Sequence, residues 1–110
     1  MDTNLQGEIT ELHAHICSGL SDPTRILILY KIAEQPVNVS CLARELGIPQ
    51  PTVSRHLKVL RERRMVFSRR KGKSVLYVLS DERIITALDL LRAFLANSLE
   101  NQAALVRPSQ

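Results

Sequence analysis

The sequence predicts a mainly α-helical fold with a two-stranded β-wing: a winged helix–turn–helix with the element order α-α-α-α-β-β-α. The first observation is the stretch 46–60, which reads as a helix end at a glycine, a turn with two prolines, and a second helix. In that second helix Val53, Leu57 and Leu60 recur at i, i+4 and i+7 and form one apolar stripe. The second observation is a pair of β-rich runs farther along, separated by a turn that contains a glycine.

The length and composition favour one small domain. The chain has 110 residues, of which 45% are hydrophobic, so we expect a single domain over residues 1–110. Its core should cover about residues 8–100, and residues 101–110 should form a loose tail. No apolar run approaches the roughly 18 residues of a membrane span, and the first residues lack the basic and apolar regions of a secretion signal. We therefore expect a cytoplasmic protein with no membrane partner.

The first three helices are indicated by apolar spacing and start signals. Apolar residues recur at helical spacing between about Gly7 and Leu20, which predicts an amphipathic first helix. Asp22, followed by a proline, marks the start of a second helix that should run over 23–34. After a break, Asn38 is placed to cap a short third helix over 39–46.

The second half contains the proposed recognition helix, the wing and a last helix. The recognition helix is expected over 50–64, followed by strands over 65–70 and 75–79. A last helix begins after Ser80 and carries an apolar stripe of Ile84, Leu88, Leu91, Leu95 and Leu99. This stripe exceeds what a small domain covers, so together with the first helix it predicts a homodimer interface. The alternative is that it caps only its own core.

The basic residues are concentrated in one part of the chain. Nine of the fifteen Lys and Arg, but only one of the eleven Asp and Glu, lie between Gln50 and Lys73. Such clustering is typical of a surface that binds a polyanion, and here it coincides with the helix–turn–helix pattern. The predicted contacts with double-stranded DNA are Gln50, Thr52, Ser54, Arg55 and Lys58 on the recognition helix and Arg69, Arg70, Lys71 and Lys73 on the wing.

Four blocks of the sequence, in this order and with matching gaps, resemble the ArsR/SmtB family of bacterial and archaeal repressors. The blocks are residues 20–26, 42–47, 50–61 and 70–79. The resemblance covers roughly residues 10–100. It implies a homodimer through the first and last helices, DNA binding at inverted repeats in promoters, and release of the DNA when an effector binds.

The family's sensor sites are only partly matched. In the zinc site of the last helix, Asp81 matches the first position, but Arg83, Phe94 and Asn97 stand where the other ligands are expected, so that site is absent. The Cys-x-Cys pair of arsenic- and cadmium-type sensors is also incomplete, since Cys41 falls one place after the second cysteine of that pattern. The second and last helices contain no cysteine, unlike the persulfide sensors of the family.

Three residues remain as sensor candidates: His13, Cys17 and Cys41. In a regular α-helix His13 and Cys17 share one face, and Cys41 of either protomer would add a third ligand for zinc or arsenite. Alternatively, the two cysteines form a redox pair, or they only pack and sense nothing. Cys41 would lie at the third position of its helix, near unpaired backbone N–H groups, where a reactive thiol is favoured.

Two other classes of function compete with a DNA-binding regulator. A winged-helix module can bind protein instead of DNA, although the basic helix and hairpin argue against this. An enzyme is not expected, because the sequence has no Ser/His/Asp set, glycine-rich phosphate loop or paired-carboxylate motif. The interpretation is therefore a repressor whose effector, if it has one, is a metal, a metalloid or a thiol oxidant.

Overall fold

The computed structural model describes residues 2–106, with the side chains of residues 2–102. Within these residues the chain forms five helices and one antiparallel hairpin in the order that the sequence predicted, so the winged helix–turn–helix fold is confirmed. The elements are α1 (Thr3–Glu11, continued by the π-helical segment Leu12–Cys17), α2 (Pro23–Glu34), α3 (Val39–Leu46), α4 (Gln50–Glu62), β1 (Val66–Lys71), β2 (Ser74–Leu79) and α5 (Arg83–Val106).

The helix α1 begins four residues before the predicted start near Gly7. The side chain of Asp2 accepts a hydrogen bond from the backbone N–H of Asn4 (3.0 Å) and so caps a helix that starts at Thr3. This cap lies outside the apolar pattern from which the start was predicted.

The later part of α1 widens into π-helical geometry over Leu12–Cys17. The backbone N–H of Ser18 donates to the carbonyl of His13, five residues back, instead of the usual four. The hydroxyl of Ser18 donates in addition to the Ala14 carbonyl (2.6 Å). A side chain that bonds into the helix backbone in this way competes with regular pairing, which a periodicity pattern does not detect.

The helices α2 and α3 span the residues that the sequence predicted. The carboxylate of Asp22 accepts from the backbone N–H of Thr24 (2.7 Å), and the side chain of Asn38 accepts from the backbone N–H of Cys41 (2.8 Å). Gly47 ends α3 in the left-handed conformation, with φ 66°. That conformation is strained for other residue types, which explains the sharp turn into α4 at this position.

The recognition helix α4 is also a core element. Val53, Leu57 and Leu60 are fully buried, and α4 ends at Glu62, two residues before the predicted end, because the backbone of Arg64 is left-handed with φ 61°. The aliphatic core that these residues enter draws on α2, α3, the hairpin and α5. Its other members are Ile28, Leu29, Ile32, Leu42, Met65, Val66 and Leu88.

The hairpin pairs β1 with β2 through a two-residue loop. Lys71 and Ser74 form the last pair of the ladder, and Gly72 has φ 62°, which the tight turn requires. Both strands therefore run one residue closer to the turn than predicted. Val37 exchanges two backbone hydrogen bonds with Tyr77 (3.3 and 2.8 Å), which fastens the hairpin to the segment before α3.

The last helix, α5, is mostly exposed. The carboxylate of Asp81 accepts from the backbone N–H of Arg83 (2.8 Å) at its start, and Leu88 enters the core. Five large apolar side chains beyond this point are each more than half exposed: Leu90, Leu91, Phe94, Leu95 and Leu99. Among the described residues, no helix has the combination of length and apolar character that crossing a membrane requires.

The chain from Asn101 to Val106 is helical, where a loose tail was predicted. The sequence Gln-Ala-Ala-Leu in this segment favours a helix, and residues 101–106 contain no glycine or proline. The rest of the predicted tail, residues 107–110, lies outside the described residues.

The burial of α4 yields a stability prediction. Leu57→Ala should lower the free energy of unfolding by about 2–5 kcal/mol, because Leu57 is 1% exposed and its truncation leaves a cavity in the core. Chemical denaturation at fixed protein concentration measures this. The matched control is Lys58→Ala, one residue on and exposed, for which about 0.5 kcal/mol or less is expected. Equal losses in the two variants would contradict the placement of α4 in the core.

Candidate nucleic-acid interface

The side of α4 that faces away from the core carries the residues predicted to contact DNA. Gln50, Ser54, Arg55 and Lys58 are exposed, and Thr52 is half-buried. All five lie in the first nine residues of the helix, so its N-terminal half presents donors and acceptors to solvent. A recognition helix that enters the major groove by its N-terminal end needs this distribution.

The start of α4 offers the backbone N–H of Gln50 in addition to these side chains. Pro49 occupies the cap position and supplies no side-chain hydrogen bond, and Pro51 has no N–H of its own. The N–H groups of Thr52 and Val53 already donate to the Pro49 carbonyl (3.0 and 3.2 Å). The N–H of Gln50, with the positive end of the helix dipole, therefore favours an anionic neighbour. The guanidinium of Arg55 reaches the hydroxyl of Thr52 (3.4 Å), a weak contact that leaves its other donors available.

The basic residues of the wing are all exposed, but the strand register distributes them over both faces. Arg69 and Lys71 share one face of β1, and Arg70 lies on the other face. Lys73 lies in the turn between the strands. Within the described residues no carboxylate pairs with any of the four, so their charge is not neutralised locally. The sequence predicted these residues but not this division between faces.

The wing is held in place relative to α4 by the chain between them. The backbone N–H of Met65 donates to the Leu60 carbonyl (2.9 Å), and the carbonyl of Met65 accepts from both the backbone N–H and the hydroxyl of Ser80 (3.0 and 2.9 Å). Met65 and Val66 are buried beside α4. The recognition helix and the base of the hairpin are therefore joined by hydrogen bonds and by the shared core, and together they carry two sets of cations.

The three sensor candidates are not assembled into a site within one chain. His13 and Cys17 are exposed, Cys41 is half-buried, and both cysteines are free thiols. In the part of the chain that the structure describes, no three His, Cys, Asp or Glu side chains are grouped in a way that could hold a metal ion. Cys41 lies next to Arg44, whose Nη2 atom is 3.3 Å from the sulfur.

Asp81 is the one residue that matches the family's zinc site in the last helix, and its carboxylate interacts with Arg83. Its carboxylate forms an ion pair with the guanidinium of Arg83 (2.7 Å) and accepts from the Arg83 backbone N–H. The hydrogen bonds from Arg83 lower the pKa of the Asp81 carboxyl to about 2. Asp81 therefore caps the start of α5.

Sequence reasoning missed a polar contact between α2 and α5. The hydroxyl of Tyr30 donates to the Asp89 carboxylate (2.6 Å), and the guanidinium of Arg92 lies 5.2 Å from the centre of the Tyr30 ring. Burial and the hydrogen bond to Asp89 raise the pKa of Tyr30. Residues 59 positions apart meet here, so no local pattern indicates the contact.

The comparisons with known proteins agree with this architecture. Residues 22–68 match the profile described as "Bacterial regulatory protein, arsR family". The HTH-type transcriptional regulator KmtR of Mycobacterium tuberculosis is 40% identical over 65 residues, which are 59% of this chain and 50% of KmtR. The chain thus spans only half the length of that relative. The nodulation protein NolR of Rhizobium meliloti is 31% identical over 84 residues, or 76% of this chain and 69% of NolR.

A similar solved structure supports the fold. The chain resembles a protein of Mycobacterium bovis described as a homodimeric winged helix-turn-helix DNA-binding domain, with a TM-score of 0.77. The match covers 92% of this chain and 93% of that domain at 22% sequence identity, so it bears on the fold alone.

The exposed wing cations yield an electrostatic prediction. The double variant Arg69→Gln/Lys71→Gln should weaken binding to selected and random DNA duplexes alike, because both residues are expected to contact phosphates. The slope of log affinity against log salt should flatten by about 0.9 for each phosphate that the variant no longer neutralises. The control, Lys31→Gln/Arg83→Gln, removes the same charge outside α4 and the wing and should change the slope much less, because the pairs of Lys31 with Glu45 and Arg83 with Asp81 are partly exposed. Weakening at only one DNA sequence would argue against a phosphate role.

Proposed function

The chain belongs to the ArsR family of bacterial regulatory proteins, and on that basis we propose that it is a dimeric transcriptional repressor that binds an inverted-repeat operator in double-stranded DNA. The single observation that carries this proposal is the two-sidedness of α4. One side is fixed in the core by Val53, Leu57 and Leu60, and the opposite side presents polar and cationic side chains at the N-terminal half. DNA as the partner also implies a location in the cytoplasm.

The exposed apolar surface supports a homodimer. On α5 the large side chains from Leu90 to Leu99 stay in contact with water, and on α1 Leu5, Ile9 and Leu12 do the same. Burial of apolar surface contributes about 25 cal/mol per Å², so a second copy that covers these helices gains considerable free energy. The symmetric arrangement buries the same patch on both chains.

A symmetric dimer explains why the operator should be an inverted repeat. Two copies of α4 related by a twofold axis read two half-sites of opposite direction. For helix–turn–helix dimers the half-site centres lie about 34–36 Å apart, or at multiples of this distance, so that both helices enter the major groove on one side of the duplex.

We propose that a metal, a metalloid or a thiol oxidant releases the DNA, with Cys17, Cys41 and His13 as the candidate sensor. What supports this is the exposure of Cys17 and the position of Cys41 in the first turn of α3, beside Arg44. The alternative is a regulator in which the cysteines only pack. A sensor of three ligands would have to draw on both protomers or on a rearrangement of one.

A winged-helix module that binds a protein remains the competing function. The uncompensated cations of the wing favour DNA, because a polyanion releases condensed counterions when it is neutralised and a protein partner releases far fewer. The salt dependence of binding therefore separates the two functions.

The base-reading role of α4 is tested with Arg55→Ala. This variant should lose about 1–3 kcal/mol of binding free energy at a selected duplex and relax the preference at one or two base positions, since Arg55 is expected to contact base edges. Arg61→Ala is the charge-matched control at the other end of the helix, and its base preference should be unchanged. Selection from a random duplex pool followed by titration measures both. An unchanged preference in Arg55→Ala would show that the helix does not dock in this way.

The dimer is tested with Leu91→Glu or Leu95→Glu. An unpaired charge in an apolar interface is strongly disfavoured, so either variant should become monomeric and lose operator affinity. Ala93→Glu adds the same charge at an exposed position about 160° around α5 from both Leu91 and Leu95, so this variant should remain dimeric. Analytical ultracentrifugation gives the mass. A monomeric parent protein at micromolar concentration would contradict the proposed dimer.

The sensor is tested with Cys17→Ser and Cys41→Ser. DNA binding is measured with and without zinc, arsenite and an oxidant, and a variant that lacks an essential thiol should stay bound where the parent is released. Release requires that the effector bind the DNA-free dimer more tightly than the DNA-bound dimer. If both variants bind and release like the parent under every condition, the cysteines have only a packing role.

A further inference from the structure

Two arginines connect the recognition helix to the end of α1, and we propose that Arg25 and Arg63 are positioning residues that set the separation and orientation of the two α4 helices in the dimer. The proposal rests on the proposed function, because it concerns how a dimer fits an operator. Neither arginine is among the residues predicted to contact DNA, so the proposal gives these two side chains a separate role.

Arg25, in the first turn of α2, donates to three groups in the link between α1 and α2. Its Nε atom donates to the carbonyl of Gly19 (2.7 Å), and its Nη2 atom donates to the carbonyl of Ser18 (3.2 Å) and approaches the hydroxyl of Ser21 (3.4 Å). These carbonyls belong to the residues where α1 ends, and that of Ser18 also accepts from the hydroxyl (2.7 Å) and the backbone N–H (3.4 Å) of Ser21. The planar guanidinium donates to both carbonyls at the same time, whereas a lysine ammonium on a flexible stem lacks this fixed geometry.

The same guanidinium reaches the recognition helix. The Nη1 atom of Arg25 lies 3.3 Å from the Nδ1 atom of His56 on α4. Arginine has only donors, so this contact is a hydrogen bond in the tautomer of His56 that carries its hydrogen on Nε2 and leaves Nδ1 as the acceptor. Asp22 is close to this pair. Its pKa is lowered first by the backbone N–H of Thr24 and further by the charge of Arg25.

Arg63, which directly follows α4, makes a second connection to α1. Its Nη1 atom donates to the carbonyl of Ala14 (2.8 Å) in the π-helical segment. The two elements approach each other closely at Gly19, which is buried. A Cβ atom there would lie 3.1 Å from the sulfur of Met65 and 3.4 Å from Cγ of Arg63. The absence of a side chain at Gly19 therefore allows this contact.

One connection begins in the middle of α4 and the other at its C-terminal end, and both converge on one end of α1. Arg63 leaves the C-terminal end of α4, and His56 lies in its middle, yet both lead to the carbonyls between Ala14 and Gly19. Two separated attachments restrict rotation as well as translation. In the proposed dimer α1 belongs to the interface and α4 reads the DNA, so these bonds transmit the geometry of the interface to the reading helices.

A role in positioning differs measurably from a role in stability or charge. Loss of stability reduces the amount of folded protein and affects all DNA equally. Loss of one cation weakens phosphate attraction, again for all DNA. A change in the relative position of the two α4 helices affects only DNA on which the dimer binds two half-sites at the same time. It also changes the half-site spacing that the dimer prefers.

The experiment uses the full chain and a duplex that the parent protein selects from a random-sequence pool. Arg25→Gln and Arg63→Gln should weaken binding to this duplex about tenfold, the effect of losing one good base contact. Their binding to a random duplex should change no more than that of Arg64→Gln, the exposed neighbour that serves as the charge control. Duplexes with one base pair added or removed between the half-sites should recover part of the loss.

Further variants distinguish the loss of each individual contact from a general loss of folded protein. His56→Asn retains an acceptor near the position of Nδ1 and should keep more affinity than His56→Ala. Arg25→Gln and His56→Ala combined should lose less than the product of their separate losses, because they remove one shared contact. Arg25→Lys and Arg63→Lys keep the charge but not the planar fork, and they should still shift the preferred spacing.

The outcomes distinguish a failure of the positioning role from a failure of the proposed function. If the parent selects a duplex and is a dimer, but the arginine variants keep its spacing preference or lose affinity for random DNA by the same factor, the positioning role is wrong. If the parent selects no duplex, the proposed function fails, and the positioning role fails with it. A shifted spacing preference in dimeric, folded variants supports the positioning role.

Discussion

The burial of one side of α4 in an aliphatic core is the constraint on which the rest of the structure depends. Val53, Leu57 and Leu60 must leave water, and the core that receives them is built around Ile28 and Leu29 of α2. Once that side is fixed, the opposite side of α4 can only face outwards. The stability of the domain and the presentation of its polar, cationic surface therefore have the same cause.

The best-predicted parts of the fold are those with local chemical causes. The bounds of α2 and α3 follow from side chains that cap within three residues, Asp22 and Asn38, and from Gly47, which adopts the left-handed conformation. The exposed polar and cationic side chains of α4 were predictable for a similar reason, since a helix with one apolar stripe must expose its other side. These features need no knowledge of the remaining chain.

The features that sequence reasoning missed depend on distant partners or on competing hydrogen bonds. The π-helical segment of α1 coincides with the bond from Ser18 to the Ala14 carbonyl, which Arg63 also contacts from 49 positions away. The contacts of Arg25 with His56 and of Tyr30 with Asp89 join residues 31 and 59 positions apart. Neither spacing nor composition reports such pairs, because they follow from how the helices pack.

An NMR titration of the isotope-labelled protein with a duplex that it selects tests most directly the claim that α4 reads DNA with the side opposite its core contacts. We expect the largest chemical-shift changes in the first half of α4, from Gln50 to Lys58, and around the turn of the hairpin. The amides of α2 in the core should change little. Changes confined to α1 and α5, with α4 and the hairpin unaffected, would contradict the claim.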